Sequence, residues 1–291
     1  MMLKKQTRRS FLKSLLGGAL AVFGLGSGGY FYAREIEPIL LDIQAHEIAH
    51  PLIPEQMDGL RIVQFSDTHL GFQYTLNQLK KLAEKITKLQ PDMIVFSGDL
   101  MDEPNKYDKA NEIAPILGGL VAPMGKYAVY GNHDHGGYGT SLYKNIIKNS
   151  GFTLLVNKSV PITKNGDSIY LAGIDDAMLG KPDIGASTKN IPRNAYKILI
   201  SHAPDLADDA SGHGFHLQLS GHSHGGQIKV PFLGALVKPP FAERYHEGFY
   251  TIEGEPPLTL YVNRGVGTTR LPFRFMSKPE LTVFTLKRTT D

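Results

Sequence analysis

Hydrophobic and polar positions follow two periods along the first half of the chain. Leu60-Arg61-Ile62-Val63-Gln64-Phe65 is a short apolar-rich run ending in Ser66-Asp67, the pattern of a strand with polar residues at its C-terminal end. From Thr75 to Leu89 the residues Leu76, Leu79, Leu82, Ala83, Ile86 and Leu89 recur at helical spacing, and Gln90-Pro91 ends the run. Met93-Ile94-Val95-Phe96 predicts a second buried strand, leading into Ser97-Gly98-Asp99. A helix around Lys109 to Leu117 and a strand over Tyr127-Ala128-Val129-Tyr130 follow, the strand ending at Gly131-Asn132-His133-Asp134. Strands that alternate with helices imply parallel pairing through helical crossovers, and ligands collect at the carboxyl ends of such strands. The second half is richer in strands, including Ser168–Ile174, Lys197–Ser201, His216–Ser220 and Thr259–Asn263, and its helical signal is thin after Leu206–Ala210. The layout predicts an α/β domain of two mixed β-sheets packed face to face, with helices outside.

Composition changes this picture only at the N-terminus. Lys4, Lys5, Arg8, Arg9 and Lys13 precede any acidic residue, so a formal net charge of +3 becomes −2 once these five are set aside. The body therefore lacks the basic excess that drives nonspecific nucleic-acid affinity, and a dedicated DNA or RNA binder is not expected. Residues 1–33 read as an address rather than part of the fold. Thr7-Arg8-Arg9-Ser10-Phe11-Leu12-Lys13 resembles the twin-arginine export signal, and no charge occurs from Ser14 to Ala33, about the length that crosses a bilayer. The segment is thus a twin-arginine signal or a membrane anchor, its cleavage left open. It implies the twin-arginine translocation machinery as a partner and an extracytoplasmic, membrane- or envelope-associated protein. With no cysteine, any metal must be held by nitrogen and oxygen.

Five short motifs sit at the predicted strand ends: Asp67-Thr68-His69, Gly98-Asp99, Gly131-Asn132-His133-Asp134, Ser201-His202, and Gly221-His222-Ser223-His224. In extended backbone, residues i and i+2 point to one side, so Asp67 with His69, and His222 with His224, can each present a pair of ligands toward one centre. Carboxylate, imidazole and amide ligands together suit Mn, Fe or Zn. Glycines before Asp99, Asn132 and His222 ease the approach of backbone to a crowded site.

In order, type and spacing these motifs resemble those of the calcineurin-like metallophosphoesterases, over about Asp58 to Leu286. The resemblance implies a four-layer α/β/β/α sandwich, the metallophosphoesterase fold, spanning 58–291, with 34–57 as a linker and edge strand. It implies two divalent metal ions: one on Asp67, His69 and His224, the other on Asn132, His202 and His222, with Asp99 and a hydroxide bridging both. Such a pair, about 3.5–4 Å apart, lowers the pKa of shared water from 15.7 toward roughly 7 and neutralises charge in the phosphoryl transition state. His133 matches the family histidine that protonates the leaving oxygen or stabilises the transition state, and Asp102 a carboxylate that orients it. Gly221–Gln227 and Asn263–Thr268 further resemble a bacterial subgroup of exported and membrane-associated phosphodiesterases, some of which cleave the pyrophosphate of UDP-linked diacylglucosamine.

The expectation is therefore a phosphoester hydrolase acting on a diester or pyrophosphate, with a lipid-linked or envelope phosphate as the leading substrate class. An exported nucleotide phosphodiesterase or phosphomonoesterase that scavenges phosphate is the second reading. A non-catalytic interaction scaffold is the third, set against the fact that no expected ligand is missing. Asp175-Asp176 reads as a polar turn, and Asp134 as an orienter of ligands. His135, His213, His216 and His246 read as surface residues or supports of the site. Arg264, Arg270 and Arg274 either receive a distal phosphate or lie in a solvated loop, and Leu271, Phe273 and Phe275 line a lipid path or belong to the core.

Overall fold

The computed structural model describes residues 26–136 and 140–290. In chain order the strands are β1 (Asp42–His50), β2 (Arg61–Phe65), β3 (Met93–Phe96), β4 (Lys126–Ala128), β5 (Thr153–Leu154), β6 (Lys158–Lys164), β7 (Asp167–Gly173), β8 (Lys197–Ile200), β9 (Leu217–Ser220), β10 (Lys229–Val230), β11 (Gly234–Ala235), β12 (Gly248–Ile252), β13 (Leu258–Val262) and β14 (Glu280–Arg288). The α-helices are α1 (Leu76–Lys88), α2 (Ile113–Gly118), α3 (Asn132–His135), α4 (Thr140–Asn149), α5 (Ile184–Thr188) and α6 (Ala207–Ala210).

Two mixed six-stranded sheets form the body, one in the order β1-β14-β2-β3-β4-β5, the other β12-β13-β9-β8-β7-β6. β2, β3, β4 and β5 pair in parallel, as do β7, β8, β9 and β13. All four residues of β3 are buried, because it is covered on both faces. Ile94 and Phe96 join Val63 and Phe65 under α1, α2 and α4, while Met93 and Val95 meet Ile198, Ile200, Leu217 and Leu219 between the sheets. A third apolar layer, with Leu199, Leu260, Ala207 and Phe215, lies outside the second sheet. Helix, sheet, sheet, helix is thus the order of layers.

Local sequence explains the best-defined helix. Thr75 Oγ1 accepts from Gln78 N at 3.3 Å and Gln78 Oε1 accepts from Thr75 N at 2.9 Å, a reciprocal cap at the start of α1. Leu79, Leu82 and Ile86 then turn inward.

Several expectations are corrected. The helix around 109–117 is a 3-10 turn over Ala110–Glu112 running into the short α2. The strand over 127–130 ends at Ala128, although Val129 and Tyr130 stay buried. The helix α4 and the strand β14 are additional elements. Within 34–57 the edge strand is β1, at the end of the first sheet, and it pairs in parallel with β14 from Asp42 to His50. The twin-arginine motif at Thr7–Lys13 lies outside the described residues, and among these no helix is long and apolar enough to cross a membrane.

Candidate metal centre

The loops leaving β2, β3, β4, β8 and β9 converge at one edge of the two-sheet sandwich. They form two buried groups whose nitrogen and oxygen atoms lie within 4.8 Å of one another: Asp67, His69 and His224, and Asp99, His202 and His222. Asp99 stands between them, its Oδ2 at 3.5 Å from His69 Nε2 and 3.2 Å from His202 Nε2. Within the groups, His69 Nε2 and His224 Nε2 are 3.0 Å apart, and His222 Nδ1 and His202 Nε2 3.1 Å. Asn132 borders the same cleft, and its buried Oδ1 has no hydrogen-bond partner. An unsatisfied buried acceptor is costly unless a cation takes it.

Extended backbone does not deliver these pairs. Asp67 (φ 54°), His69 (φ 44°), Asp99 (φ 61°), His222 (φ 70°) and His224 (φ 52°) all occupy the left-handed region. Such conformations cost non-glycine residues about 1–3 kcal/mol each and persist where the surroundings over-determine them, often at functional sites. His222 and His224 accordingly part, each joining a different group. Gly131 is required for space: a Cβ there would lie 2.2 Å from Asp99 Oδ1. Gly98 is required twice over, with φ +101° and a Cβ position 2.6 Å from Gly131 N.

Two of the imidazoles are hydrogen-bonded on their far side. His202 Nδ1 donates to Ser97 O at 2.7 Å and His222 Nε2 to Pro240 O at 2.9 Å, which turns the other nitrogen of each toward the centre. His69 Nδ1 lies 3.0 Å from Asp102 Oδ1. His224 differs, since Arg274 Nη2 stands 3.4 Å from its Nδ1. Burial, reinforced by His69 and Arg274, holds His224 well below its ordinary pKa, which keeps it neutral, as a ligand must be. Burial works to lower His69 and His202 also, but neighbouring carboxylates prevail and raise them to about 9 and about 10. Burial would raise Asp67 and Asp99, yet the histidines around them hold both below the usual carboxylate range. The cluster sets the negative charge of Asp67 and Asp99 beside the lone pairs of the imidazoles, and divalent cations compete with protons for those atoms.

Asp134 is absent from both groups. Its carboxylate accepts from the backbone N–H of Asp99, Leu100 and Gly131 at 2.8, 3.0 and 2.8 Å, tying the loops after β3 and β4 together. Burial and the charge of Asp99 push it up to about 8 against those three donors.

Asp102 lies beside His133, as the sequence reading expects, but the acceptor it offers that ring is its backbone carbonyl. Its carboxylate meets His69 and accepts from Thr269 Oγ1 at 2.8 Å. His133 Nδ1 instead donates to the Asp102 backbone carbonyl at 2.7 Å, the carboxylate lying 3.7 Å away. His133 N donates to Asp99 Oδ1 at 2.9 Å, and its ring stands edge-on to His69. Arg274 neither meets solvent nor faces the cleft. It is fully buried and donates to the carbonyls of Arg264, Gly265, Gly267 and Ser277. Arg264 pairs with Glu280 and Asp42, which leaves Arg270 as the arginine of the three on the cleft. His216 is buried at the opposite ends of the strands, not at the surface or beside the site. Asp175 and Asp176 do cap a turn, accepting from Lys181 N and Leu179 N, and Asp175 also pairs with His135 at 2.6 Å. The far wall of the cleft, a cavity of ≈ 270 Å³, is apolar: Met178, Ile228, Leu236, Val237 and Leu271. Sequence reading missed most of that wall, which comes from short strands and loops without periodicity.

A sandwich of this kind, with buried histidines and carboxylates gathered at its strand ends, is that of a metal-dependent phosphoester hydrolase. The chain belongs to the calcineurin-like phosphoesterase family, whose model matches residues 60–226. That family normally binds a dimetal centre. The chain is 45% identical over 288 residues to the uncharacterized metallophosphoesterase YkuE of Bacillus subtilis (strain 168), covering 99% of this chain and 100% of that protein. It is 29% identical over 311 residues to the UDP-2,3-diacylglucosamine pyrophosphatase LpxG of Chlamydia muridarum, covering 87% of this chain and 92% of that one. A solved dimetal phosphatase from Danio rerio aligns over 72% of this chain and 88% of its own, with 10% identity and a TM-score of 0.45.

Proposed function

We propose that Asp67, His69 and His224 hold one divalent cation and Asn132, His202 and His222 a second, with Asp99 shared. The observation that carries this assignment is the position of Asp99 Oδ2, within 3.5 Å of a histidine from each group. Mn, Zn or Fe suits such donors. When bound, the ions supply Lewis acidity, activating water near neutral pH and neutralising phosphoryl charge. His133 serves the leaving oxygen: Nδ1 is fixed on the Asp102 carbonyl, so Nε2 is the nitrogen left to hold the proton that oxygen needs. The Asp102 carboxylate orients His69.

The substrate is a phosphodiester or pyrophosphate carried by a lipid-linked or cell-envelope compound, met outside the cytoplasm after export by the twin-arginine route. Three features support this reading: the apolar wall opposite the donors, the uncharged stretch from Ser14 to Ala33, and the activity that LpxG's name states for that relative. Turnover of bis-p-nitrophenyl phosphate and p-nitrophenyl phosphate, each with Mn, Zn and Fe, tests the chemistry, with the diester expected to be preferred. Lipid-linked pyrophosphates assayed beside nucleotides test the substrate class, and preference for monoesters or nucleotides overturns it. An envelope phenotype unchanged in both Asn132→Ala and His133→Ala would point to a scaffold instead.

A further inference from the structure

The ribbon β10–β11 ends in a turn whose apolar side chains have nothing packed on them. Phe232 is fully exposed and Leu233 78% exposed, followed by Leu236 (58%) and Val237 (54%). A two-residue ribbon gains no stability from holding such side chains in water, and an exposed apolar patch of this kind marks a docking surface. Leu236 and Val237 also form part of the cleft wall, so the patch continues from the turn into the mouth of the site.

Two neighbours define what covers it. Phe275 bonds to both ends of the Gln227–Lys229 segment, accepting from Lys229 N and donating its own N–H to Gln227 O, both at 2.9 Å. The 271–276 loop thereby lies beside the ribbon and adds exposed Leu271 and Met276. Against this loop rests the N-terminal segment: Tyr30 meets Phe273 edge-on at 5.3 Å, Tyr32 meets Phe275 at 6.4 Å, and Arg274 N donates to Ala33 O. Tyr30 and Phe31 are themselves exposed, and they close the run from Ser14 to Ala33 that carries no charge. The described end of that run, Tyr30 to Ala33, therefore lies against the loop that flanks the apolar turn. Lys238 and Arg270 are exposed on the rim of the patch, while the acid Glu247 is already paired with Lys229. Apolar side chains at the centre with cations at the edge are the chemistry that seats a protein on anionic headgroups.

We infer that the Phe232–Leu233 turn, with the 271–276 loop, is a bilayer-docking face that sets the mouth of the metal cleft on an anionic lipid surface. The inference deepens the proposed function by saying how a phosphate on an amphiphile reaches the donors. The docking itself is measurable without turnover.

The chain contains no tryptophan, so a single one reports its own surroundings. Full-length F232W is mixed with phosphatidylcholine–phosphatidylglycerol vesicles carrying brominated acyl chains. V121W, exposed in the loop before β4, is the control, and L233W repeats the measurement should F232W fold poorly. The expected result is a blue shift and roughly two-fold or greater quenching at position 232, as for a ring about 5–10 Å below the headgroups. The V121W protein stays unquenched, and quenching at 232 is weaker on vesicles lacking phosphatidylglycerol. Equal quenching at 121 and 232, or none at 232 while the protein floats with the vesicles, overturns the inference. So does a concentration-dependent blue shift without vesicles, which would make a second copy of the chain the occupant. In F232D/L233D, hydrolysis of a water-soluble diester is expected to persist, while KM for a vesicle-embedded diester rises about ten-fold or more. An unchanged KM overturns the link to the site. Quenching without hydrolysis of either diester by the unaltered protein would instead overturn the proposed function and leave the docking face standing.

Discussion

Strands β8 and β9 carry buried histidines at both ends, and the two ends have opposite chemistry. Past their C-terminal ends stand His202 and His222, among carboxylates. At their N-terminal ends His216 is stacked on Tyr196 at 5.1 Å and meets His50 edge-on at 4.6 Å, with Lys197 beside it. No carboxylate is among those contacts, and burial, aided by His50 and Lys197, brings His216 down to about 4. At the other end Asp99 and Asp67 take His202 up to about 10. One residue type, at opposite ends of a pair of strands, is thus packing material in one place and a cation trap in the other. At His202 the neighbouring carboxylates outweigh burial, whereas at His222 beside it burial prevails and lowers the ring, as it does at His216.

The comparison is broken most completely by removing the shared carboxylate. Asp99→Asn is expected to lower kcat by at least about 10³-fold and to release metal, read by elemental analysis of the purified protein. A fully active, fully loaded variant would show that the two groups do not meet there. Next, His133→Ala should cost about 10²–10⁴-fold in kcat with metal content unchanged. The loss should be larger for alkyl than for p-nitrophenyl diesters, because an alkoxide needs the proton more. Asp102→Ala separates two roles. Acting through His69, it should weaken metal affinity by about 10–100-fold, with kcat largely restored at saturating metal. A kcat that stays low at saturation would place its carboxylate on His133 instead.

The smallest effect belongs to the far end. His216 binds its proton near pH 4 in the folded chain but near its ordinary 6.5 when unfolded. Its stabilising share is therefore present above pH 6.5 and is lost as pH falls from 6.5 through 4. His216→Phe should leave activity unchanged and reduce the fall in Tm across that interval by roughly 2–4 °C. An identical Tm profile would remove His216 as the titrating group.

These contrasts follow what the sequence can and cannot carry. β3 and α1 were legible because a continuous apolar run and a 3.6-residue period are local signals, and α1 adds its own cap. The set of residues that converge was legible because chemistry-bearing side chains stood at strand ends, one loop after another. The pairing of β1 with β14 was not, since its partners lie at opposite ends of the chain. Nor were the left-handed φ values at Asp67, His69, Asp99, His222 and His224, which only packing enforces. The near-miss at Asp102 is a matter of one side-chain direction: residue and neighbourhood were right, but carbonyl and carboxylate face different histidines. His222 is marked by the histidine two residues on and the glycine before it, whereas nothing around His216 in sequence says that its ring is buried against Tyr196 and His50.

Arg274 carries one further implication. Its planar fork reaches four carbonyls of a segment that has little regular structure, and it does so without access to solvent. The guanidinium acts as tethered hydration, a covalently attached stand-in for the water molecules that an irregular loop ordinarily recruits. Lysine, whose donors radiate from a single nitrogen, has no such planar spread. Mutational drift at this position is therefore closed by the loop's own thirst for donors, although the residue touches nothing the enzyme transforms.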